Sequence, residues 1–281
     1  MTLCVLESWR LCIDFYAVVE VPRSNIDTYK ITVKSKIGKH WRTQANQRRY
    51  HKPMNILITN DDGWGSLGIR MLESVASKFG NTWVVVPDKP VSGISHQLTF
   101  ETPMTLAERD SQSYSLTGTP ADCARVAISQ LGVKFDWVLS GVNFGGNLGA
   151  DIAISGTVAA VREASFFECR GIAFSQYVNG MRDDFEWDQA ERLVERLLPS
   201  LLASEIDSRS WYNVNLPDTQ GKSVDDVEFV KTIPDRNPLP AKYDKLDSGQ
   251  IIYSGRYRDR PIDSGSDVDV CFGGAVSITK H

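Results

Sequence analysis

The chain has 281 residues, of which 42% are hydrophobic and 23% charged, as in an ordinary soluble globular protein. Residues 1–53 carry ten basic and four acidic side chains, whereas the rest of the chain carries 21 basic and 31 acidic ones. This acidic body excludes broad electrostatic binding of a nucleic acid polymer, although a small phosphorylated ligand held by a metal remains compatible with it.

The cysteines and the first residues of the chain predict the compartment. No C-x-x-C pair and no histidine at metal-ligand spacing accompany the five scattered cysteines, so reduced thiols in the cytoplasm are expected for Cys4, Cys12, Cys123, Cys169 and Cys271. The apolar residues near the N-terminus are interrupted by Glu7, Arg10, Asp14 and Glu20. This pattern argues against a signal peptide and a membrane span, and no membrane partner is expected.

Residues 1–53 differ from the sequence that follows them. They have no sustained hydrophobic period, and residues 34–52 are basic and polar. Met54 stands directly before the first convincing strand. Two interpretations remain open: residues 1–53 are a disordered N-terminal extension, or Met54 is the real start. In both, residues 54–281 form the functional domain.

From residue 55 onward, strand and helix patterns alternate. Continuous apolar runs predict buried strands, and apolar residues at helical spacing predict amphipathic helices. Thr119 and Pro120 have the chemistry of a helix N-cap and first helical position. The predicted strands are 55–59, 82–87, 136–140, 171–175 and 211–216, and the predicted helices are 67–79, 120–131, 156–167 and 188–202.

This alternation predicts an α/β fold of Rossmann-like type, with a mostly parallel sheet covered by helices on both faces. From about residue 224 the sequence is richer in Pro, Gly and Asp, and it ends in the strand-like run 275–279. An extended, β-rich C-terminal region is therefore expected in addition to the sheet.

Three polar clusters follow predicted strands, at residues 61–63, 87–95 and 140–149. Ligands bind at the carboxyl ends of the strands of such a sheet, so the three clusters are expected to face one cavity. Asp61 and Asp62 are adjacent and repel each other unless a cation or hydrogen-bond donors neutralise them. Two carboxylates, a hydroxyl and an asparagine oxygen form a ligand set for a hard divalent metal. A plain Asp-Asp-Gly turn is the alternative for residues 61–63 alone.

A fourth cluster, residues 155–157 (Ser-Gly-Thr), precedes a predicted helix. The free N–H groups and the positive dipole end of that helix suit a phosphate group. A simple serine N-cap is the alternative. Beside a metal site, phosphate binding is the favoured interpretation.

These motifs in this order resemble the SurE (survival protein E) family of metal-dependent nucleoside monophosphate phosphatases. The resemblance runs from Met54 almost to the end of the chain. It includes N-D-D-G at 60–63, P-D-x-x-x-S-G at 87–93, G-T-P-A-D-C at 118–123, S-G-x-N-x-G-x-N-x-G at 140–149 and S-G-T-V-A-A at 155–160. N-D-D-G alone is weak evidence, but the ordered series is specific.

The resemblance implies an active site and an activity. It implies a nucleotidase, a phosphoric monoester hydrolase acting on nucleoside 5′- and possibly 3′-monophosphates, with one Mg²⁺ or Mn²⁺ per subunit. It also implies a homodimer or homotetramer, with residues 249–268 as a candidate exchanged arm. The implied metal ligands are Asp61, Asp62, Ser92 and Asn143, and the implied phosphate-side residues are Asn147, Ser155, Gly156 and Thr157.

The sequence departs from the family pattern in two places that leave the metal oxygens intact. Ser66-Leu67 replaces the usual Ala-Pro after N-D-D-G, and Lys89 replaces the usual arginine after Pro-Asp. A lysine offers a point charge where arginine offers a planar fork, so substrate preference is left open. His96 is either a phosphate donor or an ordinary loop residue. Structural roles are expected for Asp122, Cys123, Arg125, Arg162 and Glu163.

Several mechanisms remain open from sequence. Asp61 and Asp62 are the catalytic candidates, and Asp61 is the favoured residue to orient or deprotonate an attacking water. A covalent aspartyl-phosphate route typically needs D-x-D spacing, which the adjacent pair lacks. The non-enzymatic alternative is a metal-dependent nucleotide-binding module without turnover.

Overall fold

The computed structural model describes residues 15–20, 30–35, 40–41, 53–180, 185, 187–219 and 221–281. The chain divides into two compact units, Met1–Lys52 and Pro53–His281. The first contains strands β1 (Phe15–Glu20), β2 (Lys30–Ser35) and β3 (His40–Trp41) in one antiparallel sheet. The two interpretations of residues 1–53 stay predictions.

The second unit contains the remaining strands and helices. They are β4 (Met54–Thr59), α1 (Leu67–Ala76), β5 (Gly80–Pro87), β6 (Leu106–Asp110), β7 (Ser113–Leu116), α2 (Pro120–Gln130), β8 (Trp137–Phe144), α3 (Gly156–Phe166), β9 (Arg170–Gln176), α4 (Trp187–Leu202), β10 (Trp211–Leu216), β11 (Phe229–Thr232), β12 (Tyr243–Lys245), β13 (Ile251–Tyr253), α5 (Asp267–Phe272) and β14 (Val276–Lys280). No helix in the described part of the chain is long and apolar enough to cross a membrane.

Nine strands of this unit form one sheet in the order β11-β14-β10-β9-β8-β4-β5-β7-β6. The pairings from β10 through β9, β8, β4 and β5 to β7 are parallel. The β10–β14 and β6–β7 pairings are antiparallel. The predicted mostly parallel α/β fold with added C-terminal strands is therefore confirmed.

Helices cover both faces of the sheet because the strand side chains alternate between two cores. Ile56 and Ile58 of β4 pack with residues of α1 and α4, whereas Leu57 packs with residues of α2 and α3. All three side chains are fully buried. A strand buried on both faces reads as a continuous apolar run, which is the pattern that predicted β4.

The start of α2 follows the predicted capping chemistry. The Thr119 hydroxyl accepts a hydrogen bond from the Asp122 N–H, and an Asp122 carboxylate oxygen accepts one from the Thr119 N–H. Pro120 is the first helical residue and needs no donor there. Asp122 therefore has the structural role expected from sequence.

The structure differs from the predicted elements in four places. Strand β8 continues to Phe144, four residues beyond its predicted end, and α1 ends at Ala76 instead of residue 79. The β6–β7 hairpin lies between the predicted strand 82–87 and the predicted helix 120–131, where no element was predicted. The six-residue helix α5 lies in the C-terminal region predicted to be extended. These elements are short, and pairing with distant segments determines them more than local periodicity.

Candidate active site

Three neighbouring parallel strands bring the predicted metal ligands to one edge of the sheet. Strand β4 pairs with β8 on one side and with β5 on the other. Asp61 and Asp62 follow β4, Ser92 follows β5, and Asn143 is the penultimate residue of β8. This is the point where the strand order reverses, at which α/β sheets bind ligands.

A tight turn closed by Asn60 sets the direction of the two carboxylates. The buried Asn60 amide donates to the Gly63 carbonyl at 3.1 Å and to the Ser66 hydroxyl at 2.8 Å, and its oxygen accepts from the Gly63 N–H at 3.1 Å. Gly63 has φ +81°, a left-handed conformation that favours glycine. The N-D-D-G motif is therefore a hydrogen-bonded turn with both aspartates at its centre.

Asp61 is anchored on the N-terminus of α3. The Thr157 hydroxyl donates to one Asp61 carboxylate oxygen at 2.7 Å, and the Thr157 N–H donates to the other at 3.2 Å. A Cβ on Gly156 would lie 3.0 Å from the Asp61 Cβ, so only glycine allows this close approach without a shift. Burial raises the pKa of Asp61, and the Thr157 hydrogen bonds oppose this rise.

Asp62 is more open than Asp61. Burial, and secondly the charge of Asp61, raise the pKa of Asp62 to about 6, and a hydrogen bond from the Phe144 N–H opposes the rise. This hydrogen bond joins Asp62 to the end of β8, beside Asn143. A bound cation would lower the pKa of both carboxyl groups, because it stabilises their charged forms.

The end of β8 presents the oxygen of Asn143. Its side-chain NH₂ donates to the Gly145 carbonyl at 2.7 Å, so Oδ1 is the side-chain atom that could coordinate a cation. Gly141 has φ +124°, and a Cβ there would lie 2.2 Å from the Phe174 carbonyl oxygen. Glycine is therefore required where β8 bends toward the site.

Backbone contacts hold the Ser92 loop against the rest of the site. The Val91 N–H donates to the Asp61 carbonyl at 2.8 Å. Ser95 donates through its N–H to the Ile154 carbonyl at 2.9 Å and through its hydroxyl to the Ala153 carbonyl at 2.8 Å. Ser92 itself is exposed between these anchors.

His96 extends this attachment to the side of α3. The Arg162 Nε donates to His96 Nδ1 at 3.0 Å, so Nε2 carries the hydrogen that it donates to Glu163 at 2.8 Å. Glu163 also pairs with Arg125 at 3.1 Å. Both His96 nitrogens are engaged in this network, which favours the ordinary loop role over the phosphate-donor role.

Besides Thr157, which bonds to Asp61, two further predicted phosphate-side residues have structural partners. The Ser155 hydroxyl accepts from the Val158 N–H and so caps α3. Asn147 is 8% exposed, and its side-chain NH₂ donates to the Ser175 hydroxyl at 2.8 Å. The Asn147 N–H donates to the Asn215 side-chain oxygen, and the side-chain NH₂ groups of Asn213 and Asn215 donate to the Asn147 carbonyl.

Sequence reasoning did not assign Ser175, Asn213 and Asn215 to this site, nor Thr157 to Asp61. Ser175, Asn213 and Asn215 are polar side chains in buried strands, and all three are fully buried. Buried polar side chains need hydrogen-bond partners, so a polar residue inside an apolar strand was the available signal.

The donor set fits a hard divalent cation. Within the described ranges, no group of three or more His, Cys, Asp and Glu side chains could hold a metal. The predicted ligands instead combine the two carboxylates with the exposed Ser92 hydroxyl and the free Asn143 oxygen. An all-oxygen set with few ligands suits Mg²⁺ or Mn²⁺, which keep waters in their coordination shells.

Comparisons with known proteins decide the family. A family model described as Survival protein SurE matches residues 56–237. The chain belongs to the SurE family. A relative from Nostoc sp., provisionally named a 5′-nucleotidase, is 42% identical over 229 residues, which is 81% of this chain and 99% of the relative.

A second SurE relative, from Neisseria meningitidis, is named 5′-nucleotidase SurE. It is 33% identical over 240 residues, covering 80% of this chain and 91% of the relative. The crystal structure of the SurE protein from Aquifex aeolicus matches with a TM-score of 0.70 and 28% identity, over 81% of this chain and 92% of that one. These matches confirm the resemblance predicted from the ordered motifs.

Proposed function

We propose that this chain is a metal-dependent nucleotidase that hydrolyses nucleoside 5′-monophosphates to nucleoside and phosphate, with nucleoside 3′-monophosphates as a second candidate substrate. Membership of the SurE family and relatives named 5′-nucleotidase support the activity. The observation that carries the proposal is the Asp61–Asp62 pair at the sheet edge, joined to the N-terminus of α3 through Thr157.

In this proposal Asp61, Asp62, Ser92 and Asn143 hold one divalent cation, Mg²⁺ or Mn²⁺. When bound, the cation supplies Lewis-acid stabilisation of the negative charge on the phosphate. Phosphoryl transfer needs mainly positioning and electrostatic stabilisation from the protein. Asn147 and residues 155–157 lie on the phosphate side, where the α3 dipole favours an anion.

Asp61 is proposed to orient or deprotonate the attacking water. Thr157 holds both of its carboxylate oxygens, and a catalytic base needs such a third group to fix its orientation. Each carboxylate oxygen keeps a further lone pair for the water or the cation. Asp62, which is more open, mainly contributes charge to the cation site.

A phosphate-release assay tests the proposal and separates it from the alternatives. Nucleoside 5′- and 3′-monophosphates are incubated with Mg²⁺, with Mn²⁺ and with EDTA. Release of phosphate that requires added metal is expected. Metal-dependent nucleotide binding without release would instead identify a binding module, and release that EDTA leaves unchanged would overturn the metal site. A phosphorylated Asp61 recovered from quenched reactions would favour the covalent route.

The proposed assembly is a homodimer or homotetramer, in which β13, at the start of the predicted arm 249–268, contacts a second copy together with its partner strand β12. Its strands pair only with each other in the described part of the chain, and apolar side chains on it are exposed. An isolated two-stranded hairpin with exposed apolar side chains is marginal in water, so a second copy is its proposed partner. The exposed apolar residues are Tyr243, Leu246, Ile251, Ile252 and Tyr253.

Charged substitutions in this hairpin are expected to dissociate the assembly. Ile251→Lys with Ile252→Lys places a charge on each face of β13, and a desolvated lysine disfavours the interface. Light scattering coupled to gel filtration should show the wild-type mass falling to the monomer mass. Phe100→Lys is the control, because Phe100 is an exposed apolar residue outside the hairpin, and this variant should keep the wild-type mass. A monomeric wild-type protein would refute the proposal.

A further inference from the structure

The side chain of Phe144 lies beside the site and is 48% exposed. It is the last residue of β8 and follows the proposed ligand Asn143. Strand β8 pairs with β4, and Asp61 and Asp62 follow β4. Phe144 therefore lies at the edge of the sheet that carries the two carboxylates, and about half of its surface is open.

Two further aromatic rings support Phe144. The Phe185 ring lies 5.5 Å from it at 69° between planes, and the Trp187 ring lies 6.1 Å from it at 48°. Phe185 and Trp187 contact each other edge to face at 5.4 Å. Such aromatic contacts are favourable beyond simple burial, and they leave the Phe144 side chain about half exposed.

Trp187 packs against α1 at the point where α1 contacts β8. Its Cη2 would lie 3.2 Å from a Cβ on Gly68, a residue in the first turn of α1. The same Cβ would lie 2.0 Å from the Val142 carbonyl oxygen, two residues before Phe144. Because Gly68 has no side chain, α1 packs closely against both β8 and the Trp187 indole. This packing fixes the position of the three aromatic rings.

We propose that the nucleobase of the substrate stacks on the exposed part of the Phe144 ring. This inference rests on the proposed function, which places the phosphate at Asp61 and Asp62. The base is separated from the phosphate by one ribose, and the half-exposed Phe144 directly follows the proposed ligand Asn143 at the end of β8. A ring face accepts the π surface of any base, so Phe144 gives affinity without strict base identity.

The stacking inference separates binding of the base from chemistry at the phosphate. Ribose 5-phosphate has the phosphate and sugar but no base, so it serves as the matched substrate for AMP. The decisive quantity is the ratio of kcat/KM for AMP to kcat/KM for ribose 5-phosphate. Stacking also predicts a larger loss for AMP than for CMP, because a purine covers more of the ring.

Phe144→Ala is expected to lower the AMP to ribose 5-phosphate ratio about tenfold, within the range found for removing an aromatic platform under one base. Phe144→Leu, which keeps apolar bulk without a π face, should lower it by a smaller factor. Phe167→Ala is the matched control, since Phe167 is 40% exposed but lies at the opposite end of α3 from Thr157. The control should keep the wild-type ratio.

The outcomes distinguish the inference from the proposed function. Wild-type protein that hydrolyses both substrates, with an unchanged ratio in Phe144→Ala, would overturn the stacking inference alone. Wild-type protein that hydrolyses neither substrate would overturn the proposed function. In that case calorimetric binding of AMP and of ribose 5-phosphate with Mg²⁺ gives the same ratio, and equal affinities would overturn stacking too. A changed oligomeric mass in Phe144→Ala with an unchanged ratio would assign the aromatic group to a subunit interface.

Discussion

Asp61→Asn is expected to lower kcat by about 10³-fold at saturating Mn²⁺, in the range of a lost general base. An amide oxygen can still accept a hydrogen bond or ligate a cation, but it cannot take up a proton. Asp62→Asn should instead weaken the affinity for the metal, with activity partly recovered at high Mn²⁺. Rates measured across a Mn²⁺ titration separate the two effects. Wild-type release by either variant without added metal would refute the metal site.

Neither substitution is expected to unfold the protein. Burial raises the pKa of both aspartates, which means that their charged forms cost stability in the metal-free fold. A neutral isostere removes that cost and loses at most part of the Thr157 hydrogen bonding. Melting temperatures in EDTA should therefore be unchanged or slightly higher, while the rise on adding metal should shrink.

Thr157→Val supplies the matched probe for the anchoring of Asp61. It removes the hydroxyl donor at 2.7 Å while leaving the backbone N–H donor and the approximate side-chain volume. If Thr157 orients the base, kcat should fall with little change in metal affinity. A change in metal affinity at constant kcat would show that Thr157 serves the cation site instead.

Asp151→Asn is expected to destabilise the fold by about 3–5 kcal/mol, because it leaves a buried guanidinium without its counter-ion. Arg260 is 3% exposed and pairs with Asp151 at 3.0 Å. The Tyr257 hydroxyl also donates to Asp151, at 2.6 Å. The melting temperature of the variant should fall by about 10 °C in thermal unfolding followed by circular dichroism.

Two further variants show whether the unpaired charge causes this loss. Removing both charges in Asp151→Leu with Arg260→Met should recover much of the stability, since an apolar pair avoids the desolvation cost. Arg209→Gln is the control for a surface pair, because Arg209 and Glu168 are both largely exposed. Its effect should be within about 0.5 kcal/mol. An unchanged melting temperature in Asp151→Asn would contradict the role of the ion pair.

The sequence signals behind the predicted site residues are local. The apolar run of β4 followed by Asp61 and Asp62, and the Thr119–Pro120 helix start, depend on neighbouring residues only. The contacts that complete the site join distant positions. Asp61 and Thr157 are 96 positions apart, and Asn147 and Asn215 are 68 apart. Hydrophobic periodicity reports local structure and does not indicate contacts between distant residues, so these pairings could be identified only from the structure.

The same limit explains the differences in element boundaries. Strand β8 was expected to end at Ser140, because glycine and asparagine follow it and usually mark loops. Pairing of Asn143 with Ser175 and of Phe144 with Gln176 on β9 extends the strand past a local irregularity. Asn143 is consequently held by a sheet partner instead of by a loop.

The attachment of the Ser92 loop to α3 also affects how the site takes up its ligands. Ser95 is bonded to the segment before α3, and His96 is bonded to Arg162 and Glu163 on its side. The loop and the helix that carries Thr157 therefore form one preorganised body. The conformational entropy of ordering this loop is lost during folding, so ligand capture does not incur it again.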